Sequence, residues 1–174
     1  LDIGSGAGHW IDFYRSCHVK TILGIDISEN IINFLKKKYE EYLKRSVFLT
    51  NGKAHFILDH LGQDYDIVNA IGVMFHIVND KEWEETVLKV GNVVKENGVF
   101  IIGGHFGFFN KINVQHNNQG VYNKRIRSYA AWKKILKKAG FTKIQLYKND
   151  QYLHINQSLP ENNVIVATKQ SVIS

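Results

Sequence analysis

Apolar and polar positions along this chain alternate between two periods. Short apolar runs at Leu1 to Ile3, Ile22 to Asp26, Val47 to Thr50, Tyr65 to Ile71 and Val99 to Gly103 read as buried strands. Between them, apolar residues return at helical spacing. Ile31, Ile32, Leu35, Tyr39 and Leu43 form one stripe on a helix from Glu29 to Arg45, and Trp83, Val87, Val90 and Val94 form another on a helix from Asp80 to Val94, with Asp80 as its cap. Shorter helices are expected at His9 to Arg15, with Trp10 and Phe13 or Tyr14 facing the sheet, and at Ala54 to Leu61. Another runs from Tyr129 to Ala139 and is closed by Gly140. Strands alternating with helices predict an α/β fold with a doubly wound, mostly parallel sheet. Thr142 to Lys148 and Asn163 to Lys169 have no helix between them, so they are expected to pair antiparallel; Pro160 lies in their connection.

The chemistry starts at the first strand. Asp2-Ile3-Gly4-Ser5-Gly6-Ala7-Gly8 runs from a strand end into a loop with glycine at every second position. Glycines there let the backbone approach a ligand that a Cβ would block, and the next helix aims its first amides at the same place. The spacing is not the dinucleotide fingerprint, because His9 stands where a third glycine would fall. It is not a P-loop either, since Ala7-Gly8-His9 ends without Gly-Lys-Ser/Thr. Asp26 ends the second strand 18 residues after Gly8, where a carboxylate can accept from both hydroxyls of a ribose.

At 174 residues, with 44% apolar residues, the chain has the size and composition of one folded domain rather than of a disordered segment. No apolar run is long enough for a membrane span, and no signal peptide is visible. The single cysteine, Cys17, excludes an internal disulfide, suits a reducing, cytoplasmic compartment and is expected in the core. The net charge of +6 raises nucleic acid as a partner. The basic runs Lys36-Lys37-Lys38, Lys44-Arg45, Lys133-Lys134 and Lys137-Lys138 all fall on amphipathic helices, so solvated faces are favoured over an RNA groove.

In the order and spacing of its motifs the chain resembles the class I S-adenosylmethionine-dependent methyltransferases. The resemblance is carried by Asp2 to Gly8, the Asp26 strand end, Tyr65-Asp66-Ile67-Val68, Met74-Phe75-His76-Ile77, and a helix from Leu88 into Lys95-Glu96-Asn97-Gly98 before a strand; it extends to about Lys169. It implies one Rossmann-like domain over 1–174, with seven strands in the order 3-2-1-4-5-7-6. It also implies that the usual N-terminal helical segment is missing, the chain being N-terminally truncated. S-adenosylmethionine would be the co-substrate, with no metal. Gly4, Gly6 and Gly8 would pass its methionine and ribose portion, Asp2 would orient the loop or bind the amino group through water, and Asp26 would hold the ribose. Ile27 and Ala54 would flank the adenine, and the backbone of Ala70 and Ile71 would face the methionyl amine.

One position departs from the family. The acid that accepts from the adenine's exocyclic amine is replaced in Gly52-Lys53-Ala54 by a donor-only lysine, which leaves Asn51 as the candidate acceptor. His76 is the first candidate general base and His105 the second, because histidine ordinarily titrates near neutrality; structural histidines are the alternative. The long piece from His105 to Arg127 leaves the carboxyl end of strand five and is expected as a substrate-side loop. It carries Phe106, Phe108, Phe109, Asn110, His116, Tyr122 and Lys124, and also Arg125 and Arg127, which are read either as partners of an acidic substrate group or as surface charges. No Asp-Pro-Pro-Tyr or Pro-Cys motif is present, and Phe75-His76 resembles enzymes acting on small molecules. The expected function is methyl transfer to an oxygen or nitrogen of a small molecule. The alternatives are an RNA methyltransferase and a non-catalytic S-adenosylmethionine-binding module.

Overall fold

The computed structural model describes residues 1–63, 65–107, 112–115, 122–148 and 163–170. Phe108, Phe109, Asn110, His116 and Pro160 lie outside the described residues. The chain forms two compact units, 1–61 and 62–174.

The first unit holds β1 (Asp2–Ile3), α1 (His9–Ser16), β2 (Ile22–Asp26), α2 (Glu29–Lys38), β3 (Val47–Asn51) and α3 (Ala54–Ile57). Its strands are parallel, Asp2 pairing with Gly24 and Asp26 with Asn51. Ile3, Ile11, Ile22, Ile25, Ile32, Leu35 and Val47 fill its core. Ser28 caps α2 by accepting from the Ile31 amide. That helix is shorter than its apolar stripe predicts. Tyr39 leaves the helical conformation, a 3₁₀ turn follows at Glu40–Tyr42, and Lys44 takes a left-handed φ of 63° before β3 starts. On α1 the buried residues are Ile11 and Tyr14; of the two expected alternatives Tyr14 is the one that faces inward and Phe13 is half exposed, while Trp10 is half-buried. Cys17 is exposed at the end of α1, not in the core: the helix stops there and the residue faces out. Ala54 to Leu61 forms α3 followed by a 3₁₀ turn, Leu58–His60.

The second unit holds β4 (Tyr65–Ile71), α4 (Asp80–Val93), β5 (Val94–Gly104), β6 (Phe106–Gly107), β7 (Ile112–Gln115), β8 (Tyr122–Ser128), α5 (Tyr129–Lys138), β9 (Lys143–Tyr147) and β10 (Asn163–Thr168). β4 runs parallel to β5, and β10 lies antiparallel to both β5 and β9, as the missing helix predicts. Trp83, Val87 and Val90 of α4 and Trp132, Ile135 and Leu136 of α5 are buried, and the two indoles meet edge to face at 4.8 Å. Asn79, not Asp80, caps α4, accepting from the Glu82 amide. Val94 has already left the helix and pairs with Tyr65, so β5 begins before the Asn97-Gly98 turn instead of after it.

The seven main strands follow the order β3-β2-β1-β4-β5-β10-β9, the expected order once three short strands are allowed for in the numbering. Those three form a separate sheet, β6-β8-β7. The stretch expected as a loop thus contains paired strands, because Ile112 to Gln115 finds an antiparallel partner in β8. Among the described residues no helix is long and apolar enough to cross a membrane.

Candidate functional site

In the first unit the glycine loop is held by its own amides. Gly4 and Ser5 both donate to the Ile25 carbonyl, at 2.7 and 3.1 Å, which ties the end of β1 to β2. Gly4, Gly6 and Gly8 have φ of 74°, 48° and 84°, a region that L side chains enter at a cost. At Gly6 a Cβ would meet only the Gly4 carbonyl, at 3.9 Å, so the space beside it is open. The Gly6 amide donates to Asp26 Oδ2 at 3.0 Å, and the Ser28 amide donates to Oδ1 at 2.9 Å. Each oxygen of a carboxylate has two lone-pair sites, so Asp26 keeps acceptor capacity on both. Asp2 is 1% exposed beneath the loop, and its carbonyl accepts from the Ser5 hydroxyl. Burial, followed by the Asp2 carboxylate, pushes the Tyr14 phenol up to about 12.

Beside Asp26, Ile27 is 66% exposed, an apolar side chain turned to solvent. Asn51 Nδ2 donates to the Asp26 and Ile27 carbonyls at 3.1 and 3.0 Å. Both partners are acceptors, so the amide orientation is fixed and Oδ1 faces the other way as an acceptor. Lys53 precedes α3 and is exposed; its side chain does not cap that helix. Ala54 is the first residue of α3.

In the second unit β4 ends at Ile71, which pairs with Gly103; a Cβ at Gly103 would strike the Ile71 side chain, so the close fit there requires glycine. Ala70 is buried. The 3₁₀ turn Met74–His76 follows. The Phe75 ring has His76 at 4.5 Å, His105 edge-on at 4.7 Å and the Lys124 ammonium at 5.4 Å. His76 is exposed, and its Nδ1 lies 3.0 Å from the Asn123 carbonyl. A carbonyl only accepts, so Nδ1 carries the hydrogen, and in the neutral ring Nε2 is the nitrogen with the lone pair. His105 is half-buried in the lining of a cavity of about 10 Å³, with Met74, Phe75, Arg125, Arg127 and Trp132 among its neighbours there. That is room for about one water.

Arg125 and Arg127 are not surface charges. Arg125 makes a two-point contact with Asp80, Nε to Oδ1 at 2.9 Å and Nη2 to Oδ2 at 2.7 Å. Arg127, 3% exposed, donates to Asp80 Oδ1 and to the Ile77 carbonyl, and its guanidinium lies 4.4 Å over the Trp83 ring. Burial lowers the Arg127 pKa, while Asp80 opposes that shift. Since Asn79 does the capping, the Asp80 carboxylate is available to tie β8 to the start of α4. No local pattern signals this pairing, because Asp80 lies 45 and 47 residues from the two arginines.

A glycine loop tethered to a carboxylate at the next strand end, on a sheet whose last strand is antiparallel, defines a Rossmann-like domain of the methyl-transferring kind. Residues 1–100, more than half of the chain, match the family described as Methyltransferase domain, and the chain belongs to that family. It is a class I S-adenosylmethionine-dependent methyltransferase. Solved structures share the fold. An S-adenosylmethionine-dependent methyltransferase from Methanosarcina mazei is 14% identical, with 98% of this chain and 91% of that one covered and a TM-score of 0.73. One from Mesorhizobium loti is 14% identical over 97% and 89% of the two chains, with a TM-score of 0.74. A 1,6-didemethyltoxoflavin-N1-methyltransferase from Burkholderia thailandensis, solved with its substrate and S-adenosylhomocysteine, is 14% identical over 98% and 70%, with a TM-score of 0.68. No curated protein matches the sequence.

Proposed function

We propose that this enzyme methylates an oxygen or nitrogen of a small molecule by in-line displacement. The bond from the nucleophile to the methyl carbon forms as the carbon–sulfur bond breaks, S-adenosylhomocysteine leaves, and the acceptor's proton passes to His76 Nε2. S-adenosylmethionine supplies an electrophilic methyl group on a sulfonium. The chain supplies position and a proton acceptor. Asp26 holds the ribose hydroxyls with the lone pairs that Gly6 and Ser28 leave open. Ile27 and Ala54 flank the adenine, and Asn51 Oδ1 accepts from its exocyclic amine in place of the acid that Lys53 displaces. Gly4, Gly6 and Gly8 admit the donor to the backbone, Asp2 orients their loop, and the backbone of Ala70 and Ile71 faces the methionyl amine. His105 is the second candidate base, and no metal is needed.

The observation that carries the reading is the contact between His76 Nδ1 and the Asn123 carbonyl. Asn123 holds Nδ1, so an exposed imidazole presents a basic Nε2 beside the aromatic group of Phe75 and His105. The Burkholderia thailandensis enzyme of this fold is an N1-methyltransferase with 1,6-didemethyltoxoflavin bound, which supports a small-molecule nitrogen acceptor. The test is formation of S-adenosylhomocysteine with a panel of phenols, amines and heterocycles. Turnover with a panel member supports the reading, and turnover only with RNA replaces it.

One observation favours that second reading. Residues 122–148 contain Lys124, Arg125, Arg127, Lys133, Lys134, Lys137, Lys138, Lys143 and Lys148, with no acid among them. Arg125 and Arg127 are engaged by Asp80, but the lysines of α5 and β9 are exposed. RNA binding through them would weaken steeply with salt.

A further inference from the structure

We propose that Tyr39 and Lys38, at the end of α2, are positioning residues that clamp the glycine loop in its donor-binding shape. The proposal rests on the reading of that loop as the donor site. Two consecutive loop carbonyls are held by two consecutive residues. Lys38 Nζ donates to the Ala7 carbonyl at 3.0 Å, and the Tyr39 hydroxyl lies 2.9 Å from the Gly8 carbonyl. Asp12, on α1, joins the pair, with Oδ2 at 2.7 Å from Lys38 Nζ and Oδ1 at 2.8 Å from the Tyr39 hydroxyl. The phenol is 1% exposed, and its single proton is shared between a loop carbonyl and a carboxylate.

The clamp acts through peptide geometry. In a trans peptide the carbonyl and the following amide point to opposite sides. Turning the Ala7 and Gly8 carbonyls toward α2 therefore turns the Gly8 and His9 amides away from it, His9 being the first residue of α1. The fit is also steric, since a Cβ at Gly8 would collide with the Tyr39 hydroxyl. A phenylalanine at 39 would fill the same apolar space among Leu35 and its neighbours, so the hydroxyl serves the loop and Asp12 rather than the packing. Tyr39, whose phenol reaches Gly8, is also the residue at which α2 ends.

The test compares Tyr39→Phe, Lys38→Met and Ile32→Val in the full chain, with S-adenosylhomocysteine as probe. Ile32 is a buried α2 residue whose amide bonds to Ser28 rather than to the loop, so its variant reports general loosening of the helix. Calorimetry should show roughly threefold to tenfold weaker binding for each clamp variant, the scale of one lost hydrogen bond, and unchanged binding for Ile32→Val. Amide exchange at Gly6 and Gly8, which donate to Asp26 and to the Ser5 carbonyl, should accelerate in Tyr39→Phe and stay slow in Ile32→Val. Wild-type exchange at these amides in Tyr39→Phe, or equal weakening by Ile32→Val, overturns the clamp. Asp26→Ala is the separate control: if it leaves binding intact, the donor-site reading fails, while the exchange measurement still decides the clamp.

Discussion

Gly6 and Asp26, 20 residues apart in the chain, are joined by a hydrogen bond of 3.0 Å from the Gly6 amide to Asp26 Oδ2. The loop and the carboxylate are therefore set relative to each other before any ligand arrives. The two glycines flanking Ala7 should respond differently to a methyl group. Gly6 has open space, so Gly6→Ala should cost about 1 kcal/mol, the conformational price of a positive φ alone. Gly8→Ala adds a collision with Tyr39 and should lower the melting temperature clearly more. Equal losses in thermal denaturation would contradict the assigned packing.

The His76 tautomer can be read without knowing the acceptor. Nitrogen-15 spectra of the imidazole should show hydrogen on Nδ1 in the neutral form, because Asn123 offers only a carbonyl there. Hydrogen on Nε2 would remove the basis for the proposed base. With an acceptor in hand, His76→Gln should lower kcat by about a hundredfold or more and leave donor affinity unchanged.

Asp80 is a structural anion between two guanidiniums. Asp80→Ala strands the buried Arg127 and should cost about 3 kcal/mol in urea denaturation. Asp66, paired with Lys95 and 82% exposed on its side chain, is the contrast: Asp66→Ala should cost less than about 1 kcal/mol. Similar costs would show that the Asp80 pairs do not anchor β8.

Alkaline pH tests the buried phenols. Burial, with the hydrogen bond to Asp12 second, pushes Tyr39 up to about 12, and Tyr14 reaches the same value. A phenol whose folded pKa lies above its unfolded value of 10.0 favours the folded state while protonated. That stability is complete below pH 10 and is lost as pH rises from about 10 to 12. Ultraviolet titration should show Tyr14 and Tyr39 ionising late, and Tyr39→Phe should remove one late-ionising group.

Whereas the strand order came from the family resemblance, the strands and the glycine loop were legible because they are local: period, punctuation and spacing lie within short windows. Asp26 was legible for the same reason, as an acid at a strand end. The Asp80 pairing was not, since one capping residue, Asn79, displaces Asp80 from the role its position suggests and frees it for partners 45 and 47 residues away. Tyr39 was read as part of an apolar helix stripe. Its ring is buried as that stripe requires, but its hydroxyl reaches the loop, and helical periodicity cannot register a single polar atom at the tip of a core residue. The small sheet β6-β8-β7 was hidden by its composition: amides, cations and aromatics read as loop, and only the pairing of β7 with β8 makes them strands.

The central claim is that the first unit's glycine loop and Asp26 hold the methyl donor. Calorimetry of the chain with S-adenosylhomocysteine, wild type against Asp26→Ala, tests it most directly. The account predicts saturable one-site binding that Asp26→Ala weakens by roughly tenfold to a hundredfold, the scale of hydrogen bonds to a charged group. Wild-type affinity in the variant, with the fold intact, would contradict it.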